Sequence, residues 1–143
     1  MVKIALIQPN YRTVYSYAGS KTITPIFPPL GLAYIAAVVR QKGFQVKIIE
    51  ANALDMTYEQ IKKEILGYKP DYVAMTSTSS MINEVDKLAK LCPKNVKIIV
   101  GGIHATSMPE QVLRDYQRVD ICVRGEGEET IVDILKGKEP EEI

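Results

Sequence analysis

Short apolar runs alternate with longer stretches of helical period along almost the whole chain, and this alternation constrains the fold more than any other feature. These runs are residues 2–7, 46–49, 72–75, 96–100 and 120–123, and all but 72–75 contain one charged residue. Strands that read as nearly continuous apolar runs are buried on both faces, which is typical of parallel sheets covered by helices. The sequence therefore predicts five parallel strands, each followed by a helix, and hence an α/β fold.

The stretches between the runs carry helix start and stop signals. Gly43 is placed to end the first helix, since glycine adopts a positive φ without a steric penalty. Thr57 with Gln60, and Ser107 with Glu110, have the spacing of capping boxes that would open two further helices. Because crossovers between parallel strands are right-handed, we expect a three-layer, doubly wound sheet of Rossmann-like (flavodoxin-like) architecture with strand order 2-1-3-4-5.

In sheets of this kind, ligands bind beyond the carboxyl ends of the strands. That edge consists here of residues 8–10, 52–55, 76–80, 101–105 and 124–126. Residues 10–27 leave the same edge, have no clear period and are long for a loop in a compact domain. We interpret this loop as a flap or a docking surface, with a mobile solvated loop as the alternative.

Length and composition indicate how many domains the chain forms, which partners it lacks and in which compartment it lies. The length of 143 residues suits one domain, and the formal net charge of +1 argues against a nucleic-acid or membrane-surface partner. No apolar run reaches the roughly 18 residues that a membrane helix needs. Cys92 and Cys122 lie among apolar residues and cannot make a disulfide framework, which fits a reducing compartment. We therefore expect a cytoplasmic protein with neither a membrane nor a nucleic-acid partner.

The usual active sites of this fold are missing from the sequence. Residues 8–10, at the end of the first strand, hold no carboxylate, which excludes a response-regulator receiver. The sequence also lacks the glycine-rich fingerprint of dinucleotide-binding domains and the phosphate-binding loop of nucleoside triphosphatases. His104 is the only histidine and has no histidine or cysteine near it in the sequence. The sequence thus assigns no catalytic residue and no metal ligand.

The edge is instead rich in hydroxyl groups and glycine. Hydroxyl side chains fill residues 76–80, a glycine pair occupies residues 101–102, and Gly-Glu-Gly occupies residues 125–127. Glycine lets a ligand approach the backbone, hydroxyls bond polar groups, and helix N-termini favour anions such as phosphate. This pattern predicts a binding edge for a bulky ligand with a phosphate-bearing tail. The alternative is structural, with a tight turn at the glycine pair and helix capping by the hydroxyls.

Three segments at this edge resemble one known family. They are PPLGLAYIAA at residues 28–37, VGGIHAT at residues 100–106 and RGEGE at residues 124–128. In this order and spacing they are similar to the N-terminal cobalamin (vitamin B12)-binding domain of cobalamin-dependent radical S-adenosylmethionine (SAM) enzymes, which include methyltransferases and the anaerobic magnesium-protoporphyrin monomethyl ester oxidative cyclase. The resemblance spans nearly the whole chain and implies a corrinoid held at the carboxyl edge of a Rossmann-like sheet.

The resemblance also implies a set of cofactor-binding residues around the nucleotide tail of the corrinoid. These residues are Ser77, Thr78, Ser79, Gly101, Gly102, Gly125 and Glu126. The hydroxyl residues would line the tail, and the glycine pair after the fourth strand would make room for it. The glycine and glutamate after the fifth strand would lie at the far side of the pocket.

The loop after the second strand departs from the pattern of many cobalamin domains. Those of methionine synthase and the mutases carry D-x-H-x-x-G, whose histidine ligates cobalt, whereas residues 50–55 read EANALD with Asn52 at the histidine position. We therefore expect cobalamin to bind base-off and without a histidine ligand, with Asn52 or a water below the cobalt, or Leu54 covering that face. His104 lies outside this motif and is expected to bond or pack within the cofactor site.

A second departure concerns the rest of such an enzyme. The C-x-x-x-C-x-x-C motif is absent, so this chain would bind neither the [4Fe-4S] cluster nor the SAM of a radical SAM enzyme. We expect residues 1–137 to form the cobalamin domain and residues 138–143 to begin a linker to a missing radical SAM domain, its partner. Two alternatives stay open: a degenerate domain that serves as a scaffold or docking surface, and a small flavodoxin-like nucleotide-binding protein or enzyme.

Overall fold

A five-stranded parallel sheet organises the part of the chain that the structure, a computed structural model, describes, namely residues 1–15 and 26–139. The strands are β1 (Lys3–Gln8), β2 (Gln45–Glu50), β3 (Tyr72–Thr76), β4 (Lys97–Gly101) and β5 (Ile121–Cys122). Their order is β2-β1-β3-β4-β5, and every pairing is parallel. The predicted order 2-1-3-4-5 and the α/β class are therefore confirmed.

Helices cover both faces of the sheet. Within the described residues they are α1 (Arg12–Tyr15), α2 (Leu30–Gln41), α3 (Tyr58–Tyr68), α4 (Ile82–Leu91), α5 (Ile103–Ser107), α6 (Pro109–Asp115) and α7 (Glu128–Leu135). None of these helices is both long and apolar enough to cross a membrane. Side chains of β1 alternate between the two faces, since Ile4 and Leu6 pack with α2 and α7, whereas Ala5 and Ile7 pack with α3 and α4. The result is a three-layer fold with one apolar core on each side of the sheet.

The helix signals in the sequence are correct in two cases and wrong in one. Gly43 has φ +88° and follows α2, and Thr57 with Gln60 forms the predicted capping box of α3. The box predicted at Ser107 and Glu110 does not form. The Ser107 hydroxyl instead donates to the carbonyl of Ile103, at 2.9 Å, because an unpredicted one-turn helix, α5, precedes α6.

Two predicted features fall largely outside the described residues. Most of the predicted flap, residues 10–27, lies at positions 16–25, and most of the predicted linker, residues 138–143, lies at positions 140–143. The described beginning of the predicted flap contains α1, a single helical turn that the sequence pattern did not indicate. The fifth strand is also shorter than the apolar run 120–123.

An arginine joins three chain segments at the end of the sheet opposite the carboxyl edge. The Arg118 guanidinium donates to the carbonyls of Pro93 and Val96, both at 2.7 Å, and to the Asp120 carboxylate at 3.2 Å. Asp120 in turn accepts from the backbone N–H of Ile98 at 2.8 Å. The planar fork of arginine reaches all three acceptors, which a lysine ammonium cannot do in the same geometry.

We expect Arg118→Lys to lower the free energy of unfolding by about 1–3 kcal/mol, because charge-assisted hydrogen bonds to partly buried carbonyls are lost. Urea denaturation followed by circular dichroism measures this change. Arg114→Lys is the matched control, since the Arg114 side chain is 72% exposed and pairs only with its neighbour Asp115 in the described structure. Equal midpoints for the two variants would contradict the stabilising role of Arg118.

Candidate ligand-binding cleft

A cleft of about 630 Å³ opens at the carboxyl ends of the strands, between the sheet and helices α2 and α7. Its volume lies within the range of ligand pockets in proteins, roughly 300–1,000 Å³. The strands contribute residues from β1, β3 and β4, and the loop after β5 closes one side. The cleft therefore lies at the edge that the doubly wound topology predicts for a ligand.

The inner part of the cleft is apolar. Ala74 and Ile99 are register partners on β3 and β4, and both line the cleft from the sheet. Across from them, Leu32 of α2 and Ile131 of α7 are buried and contribute methyl groups. We call Leu32, Ala74, Ile99, Val123 and Ile131 the floor of the cleft. Each of these five residues is at most 6% exposed and belongs to the core on this side of the sheet.

Glycine at the end of β4 allows two loops to approach each other. Gly102 has φ +89°, and a Cβ there would lie only 2.7 Å from Thr76 Oγ1 and 2.9 Å from the Ser77 backbone nitrogen. The approach is fixed by a backbone bond from Ser77 N–H to the carbonyl of Gly101, at 3.0 Å. Any residue with a Cβ at position 102 would be strained and would push these loops apart.

The mouth of the cleft is polar and acidic. Its polar side chains are Gln8, Tyr11, Thr76, Glu126 and Glu128, and the Gln8 amide donates to the Tyr11 hydroxyl. Among the described lining residues there is no lysine, arginine or histidine. An anionic group entering the cleft would therefore rely on backbone N–H groups and hydroxyls, whereas the two glutamates favour hydrogen-bond donors such as amides.

Four of the ten cofactor-binding residues expected from the sequence line this cleft. They are Gly101, Gly102, Gly125 and Glu126. The other six lie around the same edge but are not among the described residues that line the cleft. The lining residues that sequence reasoning missed are mostly apolar, and alternation along β3 and β4 could have identified two of them: Ala74 and Ile99 precede the edge by two residues and so share the face of Thr76 and Gly101.

The expected hydroxyl residues form a separate network with the only histidine. Ser77 is buried, and its hydroxyl donates to the carbonyl of Thr78 at 2.8 Å, while Thr78 and Ser80 share a bond between their hydroxyls at 3.1 Å. His104 Nδ1 shares a hydrogen bond with Ser79 Oγ at 3.0 Å, and the His104 backbone N–H donates to the Ser77 carbonyl at 3.1 Å. His104 is only 7% exposed, so it acts within the protein rather than at an open surface.

The loop after β2 holds a buried asparagine and an exposed leucine. Asn52 is 2% exposed, and its side-chain carbonyl accepts a bond from the Tyr11 backbone N–H at 3.0 Å. Its own backbone N–H donates to the Glu50 carboxylate at 3.0 Å. Leu54 is 71% exposed at the edge. Asn52 therefore connects the loops after β1 and β2. Of the two residues expected to bind the cofactor in this loop, only Leu54 is exposed enough to contact a ligand at the surface.

The titratable side chains of Cys92 and Tyr58, away from the cleft, have a raised pKa. Burial raises the pKa of the Cys92 thiol to about 11, which keeps it protonated at neutral pH and makes it a poor nucleophile.

A second cavity, of about 320 Å³, lies between α3 and α4 and is lined by Tyr58 and the buried Glu84. These two side chains bond to each other, and burial together with the Glu84 carboxylate raises the pKa of Tyr58 to about 12. In the described residues no group of three or more His, Cys, Asp or Glu side chains could hold a metal ion.

Comparisons with known proteins agree with the geometry. The sequence profile of the B12 binding domain matches residues 19–135. The chain is 40% identical over 146 residues to an uncharacterized methyltransferase of Pyrococcus horikoshii, covering 97% of this chain and 31% of that protein. It is 32% identical over 142 residues to the anaerobic magnesium-protoporphyrin IX monomethyl ester cyclase of Cereibacter sphaeroides, covering 96% of this chain and 22% of that protein.

Solved structures share the fold. The radical SAM methyltransferase TsrM from Kitasatospora setae, solved with cobalamin and a [4Fe-4S] cluster, superposes with a TM-score of 0.74 at 15% identity, over 98% of this chain and 28% of that one. The cobalamin-dependent SAM radical enzyme OxsB superposes with a TM-score of 0.68 at 17% identity, over 97% of this chain and 19% of that one. The chain spans less than a third of the length of the curated relatives that it matches. Since the family profile covers most of its residues, the chain belongs to the B12 binding domain family.

Proposed function

We propose that the chain is the cobalamin-holding domain of a larger cobalamin-dependent radical SAM enzyme of the methyltransferase or oxidative cyclase type. The observation that carries this proposal is the cleft between the sheet and helices α2 and α7, with glycine backbone at its entrance and an apolar floor. When bound, cobalamin supplies a carrier for a methyl group or a radical partner, and the protein supplies binding and orientation.

The shape of the cleft fits one part of cobalamin. The nucleotide tail is an extended arm that ends in a flat aromatic base and would enter the cleft of about 630 Å³, whereas the corrin macrocycle with its amide side chains would rest outside it. The base would lie on the floor, and Gly101 and Gly102 would let the sugar-phosphate part pass close to the backbone. Glu126 and Glu128 at the mouth would accept hydrogen bonds from the corrin amides.

The remaining residues that were expected to bind the cofactor would either contact the corrin at the exposed carboxyl edge, called the rim here, or support that rim from the buried side. Leu54, Thr78 and Ser79 are exposed at the carboxyl edge, where the corrin would rest outside the cleft. Ser77 and His104 are buried and connect the loops after β3 and β4, so their role would be to position this rim. We assign them positioning roles because the side chain of each already forms a hydrogen bond to a neighbouring residue of the protein.

We also propose that cobalamin binds base-off with no histidine below the cobalt. A tail whose base lies on the floor cannot also place that base on the metal. Asn52 occupies the sequence position of the cobalt-ligating histidine, and its side-chain carbonyl is already bonded to the Tyr11 backbone. His104 is bonded to Ser79 and is nearly buried, which argues against its serving as a replacement ligand.

The rest of the proposed enzyme lies outside this chain. We propose that residues 1–137 form the cobalamin domain and residues 138–143 begin a linker to a radical SAM domain, which would bind the [4Fe-4S] cluster and SAM. Relatives more than three times the length of this chain support that arrangement. We place the enzyme in the cytoplasm, since Cys92 and Cys122 are free thiols.

We expect the purified chain to retain hydroxocobalamin through desalting, in a ratio of about one corrinoid per chain. After reduction to the cobalt(II) form, the electron paramagnetic resonance spectrum should lack the three-line splitting that a nitrogen ligand imposes on cobalt. His104→Gln is the control and should give the same spectrum, with cobalt hyperfine lines that nitrogen does not split further. Loss of all corrinoid on desalting would contradict the proposed function, and a three-line splitting would contradict the base-off assignment.

A side chain at the entrance should block the cleft without breaking the fold. A Cβ at Gly101 would be 3.8 Å from the nearest atom outside its neighbours, so the fold accepts one, and Gly101 shares the face of Ile99 that lines the cleft. We expect Gly101→Val to weaken cobalamin binding on the order of ten-fold or more because the tail loses its path. Spectroscopic titration measures the Kd.

Gly67→Val is the matched control for this experiment, because Gly67 lies on α3, away from the cleft, and a Cβ added there would meet no atom of another residue within 4 Å beyond its own helix. Thermal unfolding of both variants shows that they are folded. An unchanged Kd for a folded Gly101→Val variant would show that the tail does not pass this glycine.

A further inference from the structure

We propose that the cleft selects corrinoids by the base of their nucleotide tail, accepting a dimethylbenzimidazole and discriminating against a purine such as adenine. The inference rests on the proposed function and adds a specificity that the family membership does not state. It follows from the separation of polar and apolar groups along the depth of the cleft.

Polar side chains lie only at the level of the mouth among the described lining residues. Thr76 is at the end of β3, whereas Ala74 and its register partner Ile99 lie two residues further down, about 7 Å below the edge at the rise of a strand. The same order holds on α7, where Glu128 opens the helix at the mouth and Ile131 follows almost one turn below it. The floor thus presents methyl and methylene groups to whatever reaches it.

The backbone at the floor offers no replacement for polar side chains. Ala74 lies on β3, which is paired with β1 on one side and β4 on the other. Ile99 lies on β4, which is paired with β3 and β5. Both strands are therefore internal, and the N–H and C=O groups beside the floor are used in the sheet ladders. A polar base atom placed there would have no hydrogen-bond partner among the described residues.

The two bases differ in the groups that would reach the floor. The benzene ring of dimethylbenzimidazole ends in two methyl groups, which match an apolar surface. Adenine has ring nitrogens and an exocyclic amine in the corresponding region, and all of them are bonded to water before binding. Leaving such groups buried and unpaired weakens binding by a factor of about 10 to 100. The cleft should therefore bind cobalamin more tightly than its adenine analogue.

The test uses the 143-residue chain and two corrinoids with the same corrin ring: hydroxocobalamin and the corresponding hydroxo-cobamide that carries adenine. Spectroscopic titration gives a Kd for each, and we expect the adenine form to bind at least about ten-fold more weakly. Equal Kd values would overturn this inference and leave the proposed function standing. If neither corrinoid binds, the proposed function itself fails, and the inference fails with it.

A variant tests whether the floor is the cause. Ala74→Ser places one hydroxyl on the floor with little change in volume, and we expect it to reduce the ratio of the two Kd values several-fold. Ala36→Ser is the matched control, because Ala36 belongs to the same core layer but does not line the cleft. The control should leave the ratio unchanged. A ratio that Ala74→Ser does not move, in a variant that still binds cobalamin, would contradict the assignment of selectivity to the floor.

Discussion

The close approach of the loops after β3 and β4 is the constraint on which the cleft depends. Gly102, at φ +89°, brings its own backbone so near Thr76 and Ser77 that no Cβ would fit between them. Bonds from Ser77 to Gly101 and from His104 to Ser77 fix that approach. Without it, the loops after β3 and β4 would move apart, and the entrance of the cleft would change shape.

Other bonds extend this constraint around the edge. The Thr106 hydroxyl accepts from the Gly125 N–H at 3.0 Å, which joins α5 to the loop after β5. On the other side, Asn52 accepts from the Tyr11 N–H and joins the loops after β2 and β1. The polar residues of the edge are thus mainly used to hold loops, and the glycines and apolar residues form the surface that a ligand would meet. This division explains how a cleft with an apolar floor can still have a fixed shape.

The sequence predicts the sheet more fully than the site. Apolar runs, four of which contain one charged residue, indicate all five strands, and the doubly wound topology that their alternation with helices favours has the strand order found in the structure. The cleft depends on tertiary contacts that no short pattern shows. That Ser77 and Thr78 line the nucleotide tail stays a prediction, and in the folded chain their hydroxyls form hydrogen bonds to neighbouring groups. The floor was missed because Ala74 and Ile99 have the composition of any core residue, and only their depth below an open edge distinguishes them.

A structure of the chain bound to cobalamin tests the central claim most directly. Our account predicts the nucleotide tail between the sheet and helices α2 and α7, with the base against Ala74 and Ile99 and the corrin outside the edge. A tail found in the second cavity, between α3 and α4, or a base still coordinated to cobalt above the edge, would contradict it.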